Sequence, residues 1–298
     1  MFWSRLVGVH PSWTPLTLGT GQHNGGVWRT SEGAVVKRLV RGAEEPRHHA
    51  YWRRQALVAE SGVVRRTSGL RAPETLRVEE DAEGITLWTE WVESVTFDDL
   101  FVAAALGRFA GVELSEPSWG ARDVLPTRLE TVARRGGWSA LGDAGLSDSL
   151  LKALNWLWTH REAALAELAA LPRVPTHGDA HPVNLLGRDG DDVIAIDWEQ
   201  FGLGPLGFDL GYLLLASMRS LDDLVDAFGD PGVRRGAVLV AAFTAASRAA
   251  WSLSQPEPGE HVRRLVELEE VIYLACDQAP WSVGLSRGRG RRGCLRSR

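Results

Sequence analysis

The sequence predicts an α+β protein of two lobes, a small β-rich amino-terminal lobe and a larger helical carboxy-terminal lobe. Two observations carry this. Short segments rich in β-branched residues, separated by glycine-rich or acidic turns, fill the chain as far as Val92. Beyond it, long alanine- and leucine-rich stretches take over. Strands first and helices afterwards is an α+β order rather than an alternating one. The expected boundaries are 1–93 for the first lobe, 94–283 for the second and 284–298 for a basic tail, with a hinge near Trp91–Ser94.

In chain order, Pro15–Leu18, Val27–Thr30 and Ala34–Leu39 read as three strands, the last two joined by a turn at Ser31-Glu32-Gly33. Pro46–Ser61 is helical in composition, with Trp52, Leu57 and Val58 for one face. Pro73–Val78 and Gly84–Val92 read as two more strands around the acidic turn Glu79–Glu83. Helices are expected over Phe97–Gly111, Ser149–Leu171, Arg234–Leu253 and His261–Ala275. A β-like block, Asn184–Ile196, turns at Arg188–Asp192.

A chain of 298 residues can bury a substantial core. It contains no apolar run of the roughly 18 residues that a membrane span needs, and residues 1–20 lack a secretory pattern. The expectation is a cytoplasmic protein with no membrane partner. Cys276 and Cys294 have no metal-ligand spacing, and no HExxH pattern occurs. The net charge is −5 although the tail holds six arginines, so the remainder is more acidic than the whole. Such a body makes a poor nucleic-acid surface, and no specific nucleic-acid partner is expected. Of 33 basic residues only Lys37 and Lys152 are lysines, so a lysine at a particular place suggests that a compact ammonium is wanted there. Nothing in the sequence sets an oligomeric state.

The densest chemistry lies in His177-Gly178-Asp179-Ala180-His181-Pro182-Val183-Asn184-Leu185-Leu186, followed by Ile196-Asp197-Trp198-Glu199. Phosphoryl transfer needs a base for the acceptor hydroxyl, oxygen ligands for magnesium and a cation on the phosphates. Asp179 supplies a base, Asn184 and Asp197 supply oxygen ligands of the kind Mg²⁺ prefers, and Lys37 is the candidate cation. The interval between Asn184 and Asp197 suits a hairpin that returns both to one place. Leu18–Trp28 adds a glycine-rich bend whose Gly19, Gly21 and Asn24 are candidates for close backbone approach to phosphate. No Gly-Lys-Ser/Thr follows it, so it is not a Walker A loop.

The order His-x-Asp-x-x-x-x-Asn and then a metal-binding Asp follows the protein-kinase catalytic loop. It departs in having Gly178 for the arginine and Asp-Trp-Glu for Asp-Phe-Gly. With those departures, and with Gly204-Pro205-Leu206-Gly207-Phe208-Asp209-Leu210 downstream, the chain resembles the aminoglycoside-phosphotransferase-like family from roughly Leu18 to Ala275. The resemblance implies a protein-kinase-like fold and a kinase using ATP or GTP with Mg²⁺ on a small hydroxylated acceptor. It implies Asp179 as base, His177 as a brace for the loop, Asn184 and Asp197 as metal ligands and Asp209 as a structural carboxylate. Leu186 would pack under the adenine, and the Glu90 carbonyl and Val92 amide would meet its edge. Gln55 stands where the family segment carries a glutamate, so Gln55 or a nearby Glu is the expected partner of Lys37.

On the acceptor side, Asp222, Asp223, Asp226 and Asp230, with Glu257, Glu260, Glu267, Glu269 and Glu270, make the helical lobe acidic; such charges more often form solvated helix faces, but lining a cleft they would suit a cationic acceptor. Trp251 and Trp281 are candidates to stack on it. Related kinases act on aminoglycosides, choline, homoserine and sugars. A catalytically weak nucleotide-binding regulator is the alternative, and its support is Gln55. A protein kinase lacks support, because no Ala-Pro-Glu segment and no catalytic-loop arginine are present.

Overall fold

The computed structural model describes residues 12–16, 24–255 and 259–277. Gly19, Gly21, Glu257, Trp281, Cys294 and the arginine-rich tail lie outside them. β1 (Thr14–Pro15), β2 (Asn24–Arg29) and β3 (Ala34–Val40) come first, then α1 (Arg54–Ser61) and β4 (Leu70–Arg71). β5 (Thr75–Glu80) and β6 (Gly84–Glu90) complete an antiparallel sheet in the order β1-β2-β3-β6-β5. Period-two alternation along β3 puts Val35, Lys37 and Leu39 on one face, with Lys37 paired in register to Leu87. Val36 and Arg38 take the other face, where Thr86 and Asp81 hold the Arg38 guanidinium. Leu39 packs with Ile85, Tyr51, Trp52 and Ala56 in a small core between this sheet and α1.

The expected helix over Pro46–Ser61 is shorter than its composition suggests, since α1 begins only at Arg54. Arg54 itself is the reason. It is fully buried, and its guanidinium takes the carbonyls of Pro46, His48 and His49. A helix through 46–53 needs those carbonyls for its own N–H groups. The segment therefore folds as turns around the cation.

The carboxy-terminal part contains α2 (Asp99–Ala110), α3 (Val124–Arg134), α4 (Asp148–Thr159) and α5 (Arg161–Ala169). The strands β7 (Arg173–Thr176), β8 (Leu185–Asp189), β9 (Asp192–Ala195) and β10 (Gly202–Pro205) follow. Then come α6 (Phe208–Leu214), α7 (Leu221–Phe228), α8 (Val233–Ser252), α9 (Gly259–Glu267) and α10 (Glu269–Asp277). Asp98 and Ser147 accept backbone N–H bonds as caps of α2 and α4. Two expected single helices are each broken in two. Ser149–Leu171 breaks at His160, whose backbone N–H and ring nitrogen both meet the Trp156 carbonyl. His261–Ala275 breaks at Leu268, which turns into the core. The helices α3, α6 and α7 have no counterpart in the sequence reading.

The helix α8 is buried nearly all round, and α3, α5, α6, α7, α9 and α10 pack on it. Against this core lie two small sheets: β7 with β10, antiparallel, and the β8–β9 hairpin extended by β4, which pairs in parallel with β9. The hairpin places Asn184 just before its first strand and Asp197 just after its second. Among the described residues no helix is long and apolar enough to cross a membrane.

Candidate active site

The loop between β7 and β8 is held from beneath. Asp209, buried near the start of α6, accepts the His177 N–H at 2.7 Å and the Gly178 N–H at 3.0 Å. Burial pushes its carboxyl above the usual range, opposed by the nearby His177 and these two bonds. Gly178 has φ +83°, and a Cβ there would come within 2.5 Å of the Gln200 carbonyl oxygen, so neither backbone nor space admits a side chain. The fully buried His177 ring accepts from the Asp179 N–H at Nδ1, 3.2 Å away, and meets the Ile196 carbonyl at Nε2, 2.8 Å away. Both bonds are satisfied by one neutral tautomer, with the proton on Nε2. Such a ring has no nitrogen left for proton transfer to a substrate.

Asp179 and Asn184 face one another across the loop. The Asn184 amide nitrogen donates to the Asp179 carbonyl at 2.9 Å and to Asp179 Oδ2 at 3.1 Å. This orientation leaves Asn184 Oδ1 as the free donor atom. The Ile196 N–H donates to the Asn184 carbonyl at 2.8 Å, which ties the two ends of the hairpin together immediately before Asp197. Asp197 adopts a left-handed conformation, φ 64°, and Lys37 Nζ lies 2.6 Å from its Oδ1. Beneath it, buried Trp198 donates to the Ala195 carbonyl and packs against His177, Phe109 and Phe201.

Lys37, Asn184 and Asp197 open onto a cleft of about 490 Å³ between the amino-terminal sheet and the β8–β9 hairpin. Lys37, Gln55, Glu90, Val92, Asn184, Leu186 and Asp197 all line it. At its edge the Val92 side chain packs on the Gly187 backbone, where a Cβ on Gly187 would lie 2.3 Å from Val92 Cγ1. The Val92 N–H finds no acceptor among the described residues. Asn24 begins β2, while Gly19 and Gly21 are not among the described residues.

The expected partner of Lys37 is not where the sequence reading looked for it. Lys37 bonds Asp197, while the buried Gln55 Oε1 accepts no hydrogen bond. Glu199 supplies the additional carboxylate near this ammonium. Burial first, and then the neighbouring Asp197, push its carboxyl up to about 7, against the pull of Lys37. The Glu199 carbonyl accepts from Arg54 at 2.5 Å, so the cation at the start of α1 also grips the Asp197-Trp198-Glu199 turn.

A divalent cation needs oxygen donors here. Asn184 Oδ1 and the Asp197 carboxylate provide two, and no group of three or more His, Cys, Asp or Glu is arranged for a metal among the described residues. Two protein oxygens fit Mg²⁺, which commonly completes its shell with phosphate and water, and do not suit an ion that demands a full protein cage.

The opposite side of Asp179 differs from expectation. Arg128 of α3 and Arg248 of α8 reach the same Asp179 oxygen, Oδ1, at 4.0 and 3.7 Å. Asp222, Asp223, Asp226 and Asp230 lie instead on solvent faces, and Asp222 pairs with Arg234. Of the acids on α7, α9 and α10, none acts on Arg128 or Arg248. Sequence reasoning missed both arginines and Arg54. Glu199 could have been found, since it stands inside the Ile-Asp-Trp-Glu segment.

The comparisons bear on the fold and the family. The model of the phosphotransferase enzyme family matches residues 15–239. No curated protein matches. A choline/ethanolamine kinase family protein from Mesorhizobium loti superposes with a TM-score of 0.56 at 19% identity, covering 92% of this chain and 90% of that one. The GDP complex of aminoglycoside 2'-phosphotransferase-IIIa gives 0.57 at 15%, covering 89% and 94%. Choline kinase LicA from Streptococcus pneumoniae gives 0.54 at 16%, covering 88% and 94%. At such identities the structures speak for the fold, a protein-kinase-like α+β arrangement, and the family model speaks for descent. The chain belongs to the phosphotransferase enzyme family.

Proposed function

We propose that this protein is a magnesium-dependent small-molecule kinase that moves the γ-phosphoryl group of ATP or GTP to a hydroxyl of a small acceptor. The observation that carries the reading is that Lys37, Asn184 and Asp197 line one cleft, with Lys37 bonded to Asp197 at 2.6 Å and Asn184 bonded to Asp179 at 2.9 and 3.1 Å. Solved structures of the same fold include a GDP complex of an aminoglycoside phosphotransferase and a streptomycin–ATP ternary complex of another.

In this reading the base lies against Leu186 and its edge meets the Glu90 carbonyl and Val92 N–H. Gln55 lines the same pocket, and Asn24 approaches the phosphates through its backbone. Asn184 Oδ1 and Asp197 hold Mg²⁺, which when bound offsets phosphate charge. Lys37 exchanges part of its bond to Asp197 for the α- and β-phosphates. Asp179 accepts the proton of the acceptor hydroxyl. The acceptor oxygen forms a bond to the γ-phosphorus as the bridging P–O bond breaks, and the electron pair leaves with ADP or GDP. His177 and Asp209 keep Asp179 in place and take no part in the chemistry.

The test is an ADP- and GDP-release screen over hydroxylated acceptors, with Asp179→Ala as the blank. Acceptor-dependent release by the wild type, abolished in Asp179→Ala while nucleotide binding persists, supports the kinase. Nucleotide binding with no release for any acceptor favours the regulator, for which the unpartnered Gln55 oxygen is the structural argument.

A further inference from the structure

We propose that the acceptor site takes a hydroxylated anion, a carboxylate- or phosphate-bearing alcohol, whose charged group is clamped by Arg128 and Arg248. The inference deepens the kinase reading and rests on Asp179 being its base.

Charge is the first ground. Two guanidiniums approach one oxygen of Asp179, whose other oxygen is taken by Asn184. One carboxylate cannot neutralise two guanidiniums. Arg128 also feels Glu199, whereas among the described residues Asp179 is the only carboxylate that acts on Arg248. The nearby ionisable groups on that side are His181 and His261, with Glu260 acting on His261. Burial and the neighbouring Arg248 pull the His261 ring below its ordinary range. His181 accepts from the Val183 N–H at Nδ1, which leaves its Nε2–H as a donor. The result is a surplus of positive charge and of hydrogen-bond donors beside the catalytic carboxylate.

Donor accounting is the second ground. At 3.7 and 4.0 Å the arginine–Asp179 contacts are too long for hydrogen bonds. Arg128 gives one N–H to Gln200 Oε1 at 2.6 Å, and Arg248 donates no hydrogen bond among the described residues. Two guanidiniums therefore leave nearly all of their donors open, in the planar geometry that suits a carboxylate or phosphate.

Rigidity is the third ground. Arg128 and Arg248 both lie over the ring of the fully buried Tyr212, at 5.3 and 5.4 Å from its centre. Their helices, α3 and α8, pack on one another. The clamp is thus set by the core before an acceptor arrives. An ammonium-bearing acceptor would meet two like charges at this position, which works against the cationic acceptors expected from the acidic helices.

The experiment uses four sugars of related skeleton, gluconate, glucose 6-phosphate, glucose and glucosamine, together with choline and kanamycin. Binding is measured with Mg²⁺ and a non-hydrolysable ATP analogue, and turnover with ATP or GTP. Gluconate or glucose 6-phosphate is expected to bind roughly 10- to 100-fold more tightly than glucose, with the three cationic probes weaker than glucose. Arg248→Met and Arg128→Met should each erase most of that preference, and Arg248→Lys should restore part of it, at unchanged nucleotide affinity. The proposal is overturned if no anion binds or if a cationic probe binds as well as the anions. It is also overturned if the preference survives both methionine variants, or if those variants slow all acceptors equally, because the arginines then serve the transferred phosphoryl group. Arginine-dependent anion binding without any ADP or GDP release would keep the anion clamp but remove the kinase reading, and with it the clamp's role toward an acceptor. Turnover confined to cationic acceptors would do the reverse.

Discussion

Two arginine environments in this protein make an instructive contrast. Arg54 is fully buried and gives its donors to five backbone carbonyls, those of Pro46, His48, His49, Trp119 and Glu199. Burial lowers its pKa to about 10, which still leaves it charged at neutral pH. Arg248 is half-buried beside Asp179 and donates no hydrogen bond among the described residues. The first cation has spent its hydrogen bonds on the fold. The second has kept them, and it keeps them beside Asp179. A guanidinium's role is therefore better judged by its open donors than by its burial.

That contrast can be broken most forcefully at Arg54. Arg54→Met leaves the carbonyls of the turn segment and of Glu199 without their donor, and the expected loss is about 3–5 kcal/mol. In thermal unfolding this is a drop on the order of 10 °C. Arg54→Lys should recover little, because an ammonium has three donors and no fork. Arg248→Met should move the same transition by less than about 2 °C, within the range of substitutions that break no internal bond. Equal shifts for the two variants would end the distinction.

The smallest expected effect lies between the two environments, at His49. Its carbonyl accepts from Arg54, and its ring nitrogen meets Thr127 Oγ1 on α3, beside Arg128. Burial, then Arg128, His48 and Arg54, hold its pKa at about 3 instead of 6.5. The folded state thus binds fewer protons than the unfolded one between those values. Stability contributed by the neutral ring is present above pH 6.5 and is lost as pH falls toward 3. The loss is below about 1.4 kcal/mol per pH unit, reduced by partial solvent access. Between pH 7 and pH 5 the melting temperature of His49→Asn should therefore fall less than that of the wild type.

The same contrast explains what could be read from the sequence. The strands of the first sheet and the hairpin from Asn184 to Asp197 were legible, because each comes from a short stretch of chain. Lys37 was legible through the scarcity of lysine and its place on a strand. Arg128 and Arg248 were not. They come from helices far apart in sequence, and in a chain that uses arginine for nearly every cation neither position stands out. Helix limits failed where one side chain overrode local propensity, as Arg54 does over 46–53 and His160 does between α4 and α5. That the acidic residues of α7 lie on solvent faces was not legible either, because composition does not say which way a helix faces.

The central claim is that Asp179 is the base of a phosphoryl-transfer centre and not a part of the nucleotide grip. The direct measurement is the rate of a single turnover in Asp179→Asn, set beside its Mg–nucleotide dissociation constant. The account predicts a rate lower by about 10³-fold, with the dissociation constant within about threefold of the wild type, a change worth less than 1 kcal/mol. An Asp179→Asn enzyme that turns over at the wild-type rate would contradict it.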